Sequence, residues 1–96
     1  MSSTKEFRDF VLEQLRRLDS IECKPMMGEY LLYCRGVLFG GIYDDRLLLK
    51  KTELNKGYAL TEVIPYDRGK PMYFVENLED VDYLSEVIMA TVSGLI

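Results

Sequence analysis

One stretch decides most of what this chain can become: KPMMGEYLLYCRGVLFGGIYDDRLLLK, Lys24 to Lys50. It is rich in Leu, Tyr, Val and Ile, most of which pack well on a pleated surface. It is cut at Gly28, at Arg35-Gly36 and at Asp44-Asp45, where residue types that tolerate tight turns gather. Short apolar runs between such signals predict strands over Glu29 to Cys34, Val37 to Tyr43 and Arg46 to Lys51, joined by two-residue turns. A first strand is expected over Ile21 to Met27, with Pro25 marking an edge or irregular position.

Helical periodicity flanks this block. Phe7, Phe10, Val11, Gln14, Leu15 and Leu18 recur at three- and four-residue steps, predicting an amphipathic helix from about Thr4 to Leu18. Ser3 and Glu6 have the spacing of a capping box. Leu78, Val81, Leu84, Val87, Ile88 and Val92 repeat the pattern near the end, with Asn77 as a candidate cap. Glu79, Asp80 and Asp82 lie where the helix dipole favours them. Thr52 to Gly57 reads as loop, Tyr58 to Ile64 fits either class, Asp67 to Lys70 reads as a turn, and Met72 to Glu76 fits a last strand. The expected fold is α+β: an N-terminal helix, an antiparallel β-meander of about four to five strands and a C-terminal helix, forming a two-layer sandwich.

The 96 residues make one domain, 1–96. The apolar runs are far too short for a membrane span. Met1 to Phe7 has no apolar core of a signal peptide, so a cytoplasmic protein is expected. There is no histidine, which removes the commonest general base and the commonest zinc ligand. Residues 1–51 carry nine Lys/Arg and eight Asp/Glu, a sum of +1; residues 52–96 carry three and eight, a sum of −5; together they give the net −4. That balance argues against direct nucleic-acid binding, which needs a basic face.

If both later hairpins are regular, the pairing is arithmetic. Cys34 meets Val37, Leu32 meets Phe39, Tyr30 meets Gly41; Tyr43 meets Arg46, Gly41 meets Leu48, Phe39 meets Lys50. Alternation then sorts the side chains. Leu31, Tyr33, Leu38, Gly40, Ile42, Leu47 and Leu49 share one face, expected beneath the helices. Tyr30, Leu32, Cys34, Val37, Phe39, Tyr43 and Leu48 share the other, rimmed by Arg46 and Lys50, with Tyr30 able to lie across Gly41. Both faces are apolar, and a large uncovered apolar patch marks an interface. A register slip of one residue would mix the two faces.

Other motifs read more plainly. Asp44-Asp45 suits a hairpin tip better than a metal site. Cys23 and Cys34 read as reduced and packed, although Lys24 and Arg35 are neighbours able to lower a thiol pKa. Gly40-Gly41 is no phosphate loop, lacking a strand-to-helix turn and a following Lys-Ser/Thr.

At these residues the chain resembles the N-terminal domain of the TfoX/Sxy family, bacterial competence regulators and their stand-alone relatives. The resemblance is carried by Lys24, Met26-Met27-Gly28-Glu29-Tyr30, Leu32-Tyr33, Gly36, Phe39, and Ile42-Tyr43-Asp44-Asp45-Arg46-Leu47 through Lys50. Met27 stands where the family commonly has Phe, and Glu29 where it commonly has Gly. The resemblance covers nearly the whole chain and is loosest over Thr52 to Lys70. It implies a role in switching on DNA-uptake genes with a cyclic-AMP-responsive transcription activator. Longer members carry a second, C-terminal domain.

The leading expectation is a non-enzymatic protein-interaction module. It would dock through Tyr30, Leu32, Phe39, Tyr43, Arg46 and Lys50 to a transcription activator, or to itself as a homodimer, without a cofactor or metal. Phe39→Asp would then abolish association and spare the fold. The alternative is a small-ligand-binding domain, with its pocket between the sheet and segment 52–70. Without histidine, a metal constellation or a nucleophile motif, an enzyme is not expected.

Overall fold

Three consecutive two-residue turns organise the molecule. The computed structural model, which describes residues 2–96, has Met27-Gly28, Arg35-Gly36 and Asp44-Asp45 with positive φ at every one of the six positions. Positive φ at both central residues defines the type I′ turn, whose twist matches that of the strands it joins. Gly28 and Gly36 adopt this conformation without Cβ strain, and Asp tolerates it. These turns close β1 (Ile21–Met26), β2 (Glu29–Cys34), β3 (Val37–Ile42) and β4 (Leu47–Leu49) into a meander.

The sheet has six antiparallel strands in the order β1-β2-β3-β4-β6-β5, more than the four to five expected. β6 (Met72–Val75) adds beside β4, and the short β5 (Thr61–Val63) pairs outside it. Two helices pack on one face: α1 (Lys5–Gln14) and α2 (Val81–Leu95). No helix among the described residues is long and apolar enough to cross a membrane. The caps differ from expectation by one residue at α1 and three at α2. Thr4, not Ser3, caps α1, accepting the Phe7 N–H. Asp80, not Asn77, caps α2, accepting the Tyr83 N–H; Asn77 instead accepts from the Asp80 N–H at 3.4 Å.

Ser3 is used for something else. Its hydroxyl donates to Glu29 at 2.6 Å and accepts the Asp45 N–H at 3.0 Å. Glu29 also accepts the Asp44 N–H at 3.0 Å, and the Asp45 carboxylate accepts the Thr4 N–H at 2.8 Å. The N-terminal arm, the first hairpin and the third hairpin tip are thereby tied together. The Asp44-Asp45 pair works as a turn and a tether, which satisfies backbone donors that the tight turn leaves bare.

The register of β3 carries the main correction. Cys34–Val37 and Tyr33–Leu38 pair as expected, but Leu32 then meets Gly40 and Tyr30 meets Ile42. One extra residue sits in β3, a β-bulge. Beyond it, Gly41–Leu48 and the backbone bonds between Tyr43 and Arg46 follow the expected hairpin. The bulge inverts half of the face assignment. Tyr30, Leu32, Cys34 and Phe39 face the helices with Ile42, Leu47, Leu49 and Val75, in one core with Val11, Leu15, Leu84 and Ile88. Leu31 and Leu38 point to the other side. Gly41 is overlain by the ring of Tyr43, not of Tyr30: a Cβ there would sit 2.8 Å from a Tyr43 ring carbon.

A second tie closes the far side. Asn55 is fully buried; it accepts the Thr52 N–H at 2.8 Å and donates to the Lys50 carbonyl and the Thr91 hydroxyl. Thr91 in turn donates to the Val87 carbonyl. Every side-chain polar atom of this buried pair has a partner, so hydrogen bonds offset the desolvation cost and the pair anchors the β4–β5 connection to α2.

Two outcomes follow from this packing. Phe39 has no exposed surface, so Phe39→Ala should destabilise the fold by about 3–5 kcal/mol, and Phe39→Asp should unfold it, contrary to the sequence expectation. Chemical denaturation measures both. Glu29→Ala removes two hydrogen bonds from the N-terminal tether and should cost about 1–3 kcal/mol, while Glu29→Gln, which keeps an acceptor, should cost less. A Glu29→Ala midpoint equal to wild type would show that the tether contributes nothing.

Candidate binding site

The helices cover one face of the sheet. On the other face the chain covers itself only in part. After β5, residues 64–71 lead into β6, and Pro65, Tyr66 and Arg68 to Pro71 line a concavity together with the sheet residues Leu31, Leu38 and Gly40. The Gly69 N–H closes a tight turn on the Tyr66 carbonyl at 2.8 Å, with Arg68 in a left-handed conformation. Tyr66 meets Tyr43 with ring centroids 6.1 Å apart and planes tilted by 45°. This is an edge-leaning aromatic contact, and it props the segment above the sheet. Leu48 is fully buried yet lies outside the helix-side core, as expected if segment 64–71 and its neighbours shield it.

Between the segment and the sheet lies a cleft of about 860 Å³. Leu31, Leu38 and Met72 supply an apolar floor, while Pro65, Tyr66 and Tyr43 form walls. Lys50, Lys51, Arg68 and Lys70 also line it, and none of the fifteen lining residues is acidic. In a chain with 16 Asp/Glu against 12 Lys/Arg, this is a local reversal of charge. Lys51 is paired with Glu62 at 2.7 Å, which raises its pKa through that hydrogen bond. Among the described residues Lys50, Arg68 and Lys70 form no ion pair. The Tyr43 hydroxyl has its pKa raised, chiefly by burial and then by Tyr66; it remains a neutral hydroxyl at physiological pH.

The six residues expected to share a docking face do not share one. Tyr30, Leu32 and Phe39 are buried under the helices, because the bulge turns that half of the sheet over. The guanidinium of Arg8 lies 5.3 Å from the Tyr30 ring centroid, on the helix side. Arg46 stays at its hairpin and donates to the Tyr43 carbonyl at 3.2 Å. Only Tyr43 and Lys50 reach the cleft. Tyr66, Arg68 and Lys70 were not singled out from the sequence: Arg68 and Lys70 were expected only in the turn Asp67 to Lys70, and Tyr66 only within the segment 52–70 of the alternative pocket expectation. A signal existed: two of the three cations in residues 52–96 fall in the four-residue stretch Asp67 to Lys70.

The cysteines offer no reactive centre. Cys34 is buried and its thiol lies 3.5 Å from the Asp19 carbonyl. Burial raises the Cys23 thiol pKa and outweighs the lowering by Arg8, so the thiolate is disfavoured.

A comparison with curated proteins gave no match. A comparison with protein families did. Residues 13–88, from the end of α1 through the whole sheet to the middle of α2, match the TfoX N-terminal domain. The chain belongs to the TfoX N-terminal domain family.

Proposed function

We propose that this domain is a non-enzymatic recognition module, and that its working site is the cleft between the sheet and residues 64–71. The observation that carries the reading is the shape and lining of that cleft. Its volume of about 860 Å³ falls within the range of small-molecule pockets, which are concave, mostly apolar and carry a few polar groups. The chain has no histidine, and the two thiols are packed or disfavoured as thiolates, so the residues at hand suit holding a ligand better than transforming one.

A second reading is favoured by family membership. The resemblance to TfoX/Sxy regulators implies a protein partner in transcription control. Met26 and Tyr66 line the cleft and are exposed, and exposed apolar groups around a concavity are what a protein interface uses. On this reading the docking surface is the rim of the cleft, not the helix-covered face.

The two are separable. A thermal-shift screen of nucleotides and metabolites should find ligands that raise the Tm of the domain by about 10 °C or more at 100 times their Kd. Leu38→Lys puts a charge on the cleft floor while its stem can still cover apolar surface; it should remove those shifts. Binding to a purified cyclic-AMP-responsive activator, followed with the same variant and with Tyr66→Ala, reads the docking directly. An empty screen together with tight, Tyr66-dependent binding of the activator would discard the pocket reading and keep the docking one.

A further inference from the structure

We infer that the cleft takes an amphipathic organic anion: a carboxylate or phosphate joined to a flat apolar or aromatic body. This deepens the pocket reading above and rests on it. The inference comes from charge, which shape alone does not supply. The protein is acidic as a whole, at −4, yet four of its cations converge on one concavity that contains no carboxylate. Lys51 is neutralised by Glu62. Lys50, Arg68 and Lys70 are not, and Asp67, next to Arg68 in sequence, does not line the cleft. Cations gathered without a counter-charge repel one another, and a bound anion relieves that repulsion.

The floor and walls define the rest of the ligand. Leu31, Leu38 and Met72 cannot satisfy a polar body. Tyr66 is 59% exposed despite standing against Tyr43, so a face of its ring remains available for stacking on a planar group. Arg68 and Lys70 stand on the same turn as Tyr66, stiffened by the Tyr66–Gly69 hydrogen bond. The aromatic platform and the cations therefore keep a fixed relation: the apolar body lies over the floor and the anionic group meets Arg68, Lys70 and Lys50. Arg presents a planar fork suited to carboxylate or phosphate oxygens.

The test uses two fluorescent probes of nearly equal shape. One is 8-anilinonaphthalene-1-sulfonate, an aromatic anion; the other is N-phenyl-1-naphthylamine, its uncharged analogue. Both are titrated into the folded chain, with near-ultraviolet circular dichroism confirming that each variant keeps its tertiary structure. The sulfonate should bind at least about tenfold tighter than the uncharged probe. Arg68→Ala/Lys70→Ala should weaken the sulfonate by about tenfold, the size expected for charge-assisted hydrogen bonds, and leave the uncharged probe unchanged. Lys5→Ala/Arg16→Ala, which removes the same charge from the α1 region, away from the cleft, should change neither. Indole-3-acetate and 1-naphthyl phosphate, added as competitors, distinguish a carboxylate from a phosphate source. Equal binding of both probes, lost in Leu38→Lys, would overturn the anionic class and keep the pocket. Equal weakening by both double variants would also overturn it, because net charge would then be the cause. If neither probe binds, the class and the pocket reading fall together.

Discussion

A single extra residue in β3 determines the layout of this domain. Side chains on a strand alternate, so residues facing one way are separated by even steps. Phe39 and Ile42 are three apart and both face the helices; Leu38 and Tyr43 are five apart and both line the cleft. Such odd spacings need a place where the alternation is reset, and the bulge is that place. Without it, either the aromatic and aliphatic groups of β2 or those of β4 would be turned out of the core. The bulge also explains why the two glycines stand together. At Gly40 a Cβ would run into the Leu48 carbonyl, and at Gly41 it would meet the Tyr30 carbonyl and the Tyr43 ring. The kinked strand has no room for side chains at either position.

Once the faces are set, the rest follows from what each must cover. The helix side closes on itself, with Val11 of α1, Leu15 just after it, and Leu84, Val87 and Ile88 of α2 in a fully buried core. The opposite side is covered by the segment between β5 and β6, with Leu95 at the end of α2 reaching the edge of the cleft. That segment shields the sheet around Tyr43 and leaves the cleft beyond it. The three hairpins and the N-terminal tether hold the sheet's shape, and the sheet forms the floor of the cleft.

Much of this could be read from the residues. The Lys24 to Lys50 block announced its strands and turns, because Asp and Gly at hairpin tips and β-branched or aromatic runs between them have direct physical causes. The helices were visible in their apolar stripes. The family was legible too, through the Pro-Met-Met-Gly-Glu-Tyr and Asp-Asp-Arg-Leu stretches, and the tether shows what part of that patterning does: Glu29 and Asp45 meet through Ser3 and Thr4. The bulge was not legible. A single residue of slippage inside Val-Leu-Phe-Gly-Gly-Ile leaves composition and periodicity almost unchanged, and a one-residue slip moves every side chain beyond it to the other face. Tyr30, Leu32 and Phe39 were expected on an uncovered face for that reason, and the structure buries them. β5 stayed open between classes, and the segment after it was expected only as part of a wall over residues 52–70, because three residues of strand and a Pro- and Gly-containing loop carry little pattern; their placement is decided by tertiary contacts with β6 and Tyr43.

The sidedness of the sheet is therefore the claim on which the core and the site both depend. It is tested most directly with two adjacent residues of β2. In a Cys23→Ser/Cys34→Ala background, Leu31→Cys and Leu32→Cys would be labelled with a thiol reagent under native conditions. The account predicts prompt labelling of Leu31→Cys, from the cleft floor, and labelling of Leu32→Cys only at the rate of global unfolding. Prompt labelling at position 32 with protection at position 31 would mean that the helices cover the other face, and would contradict both the core and the cleft described for this domain.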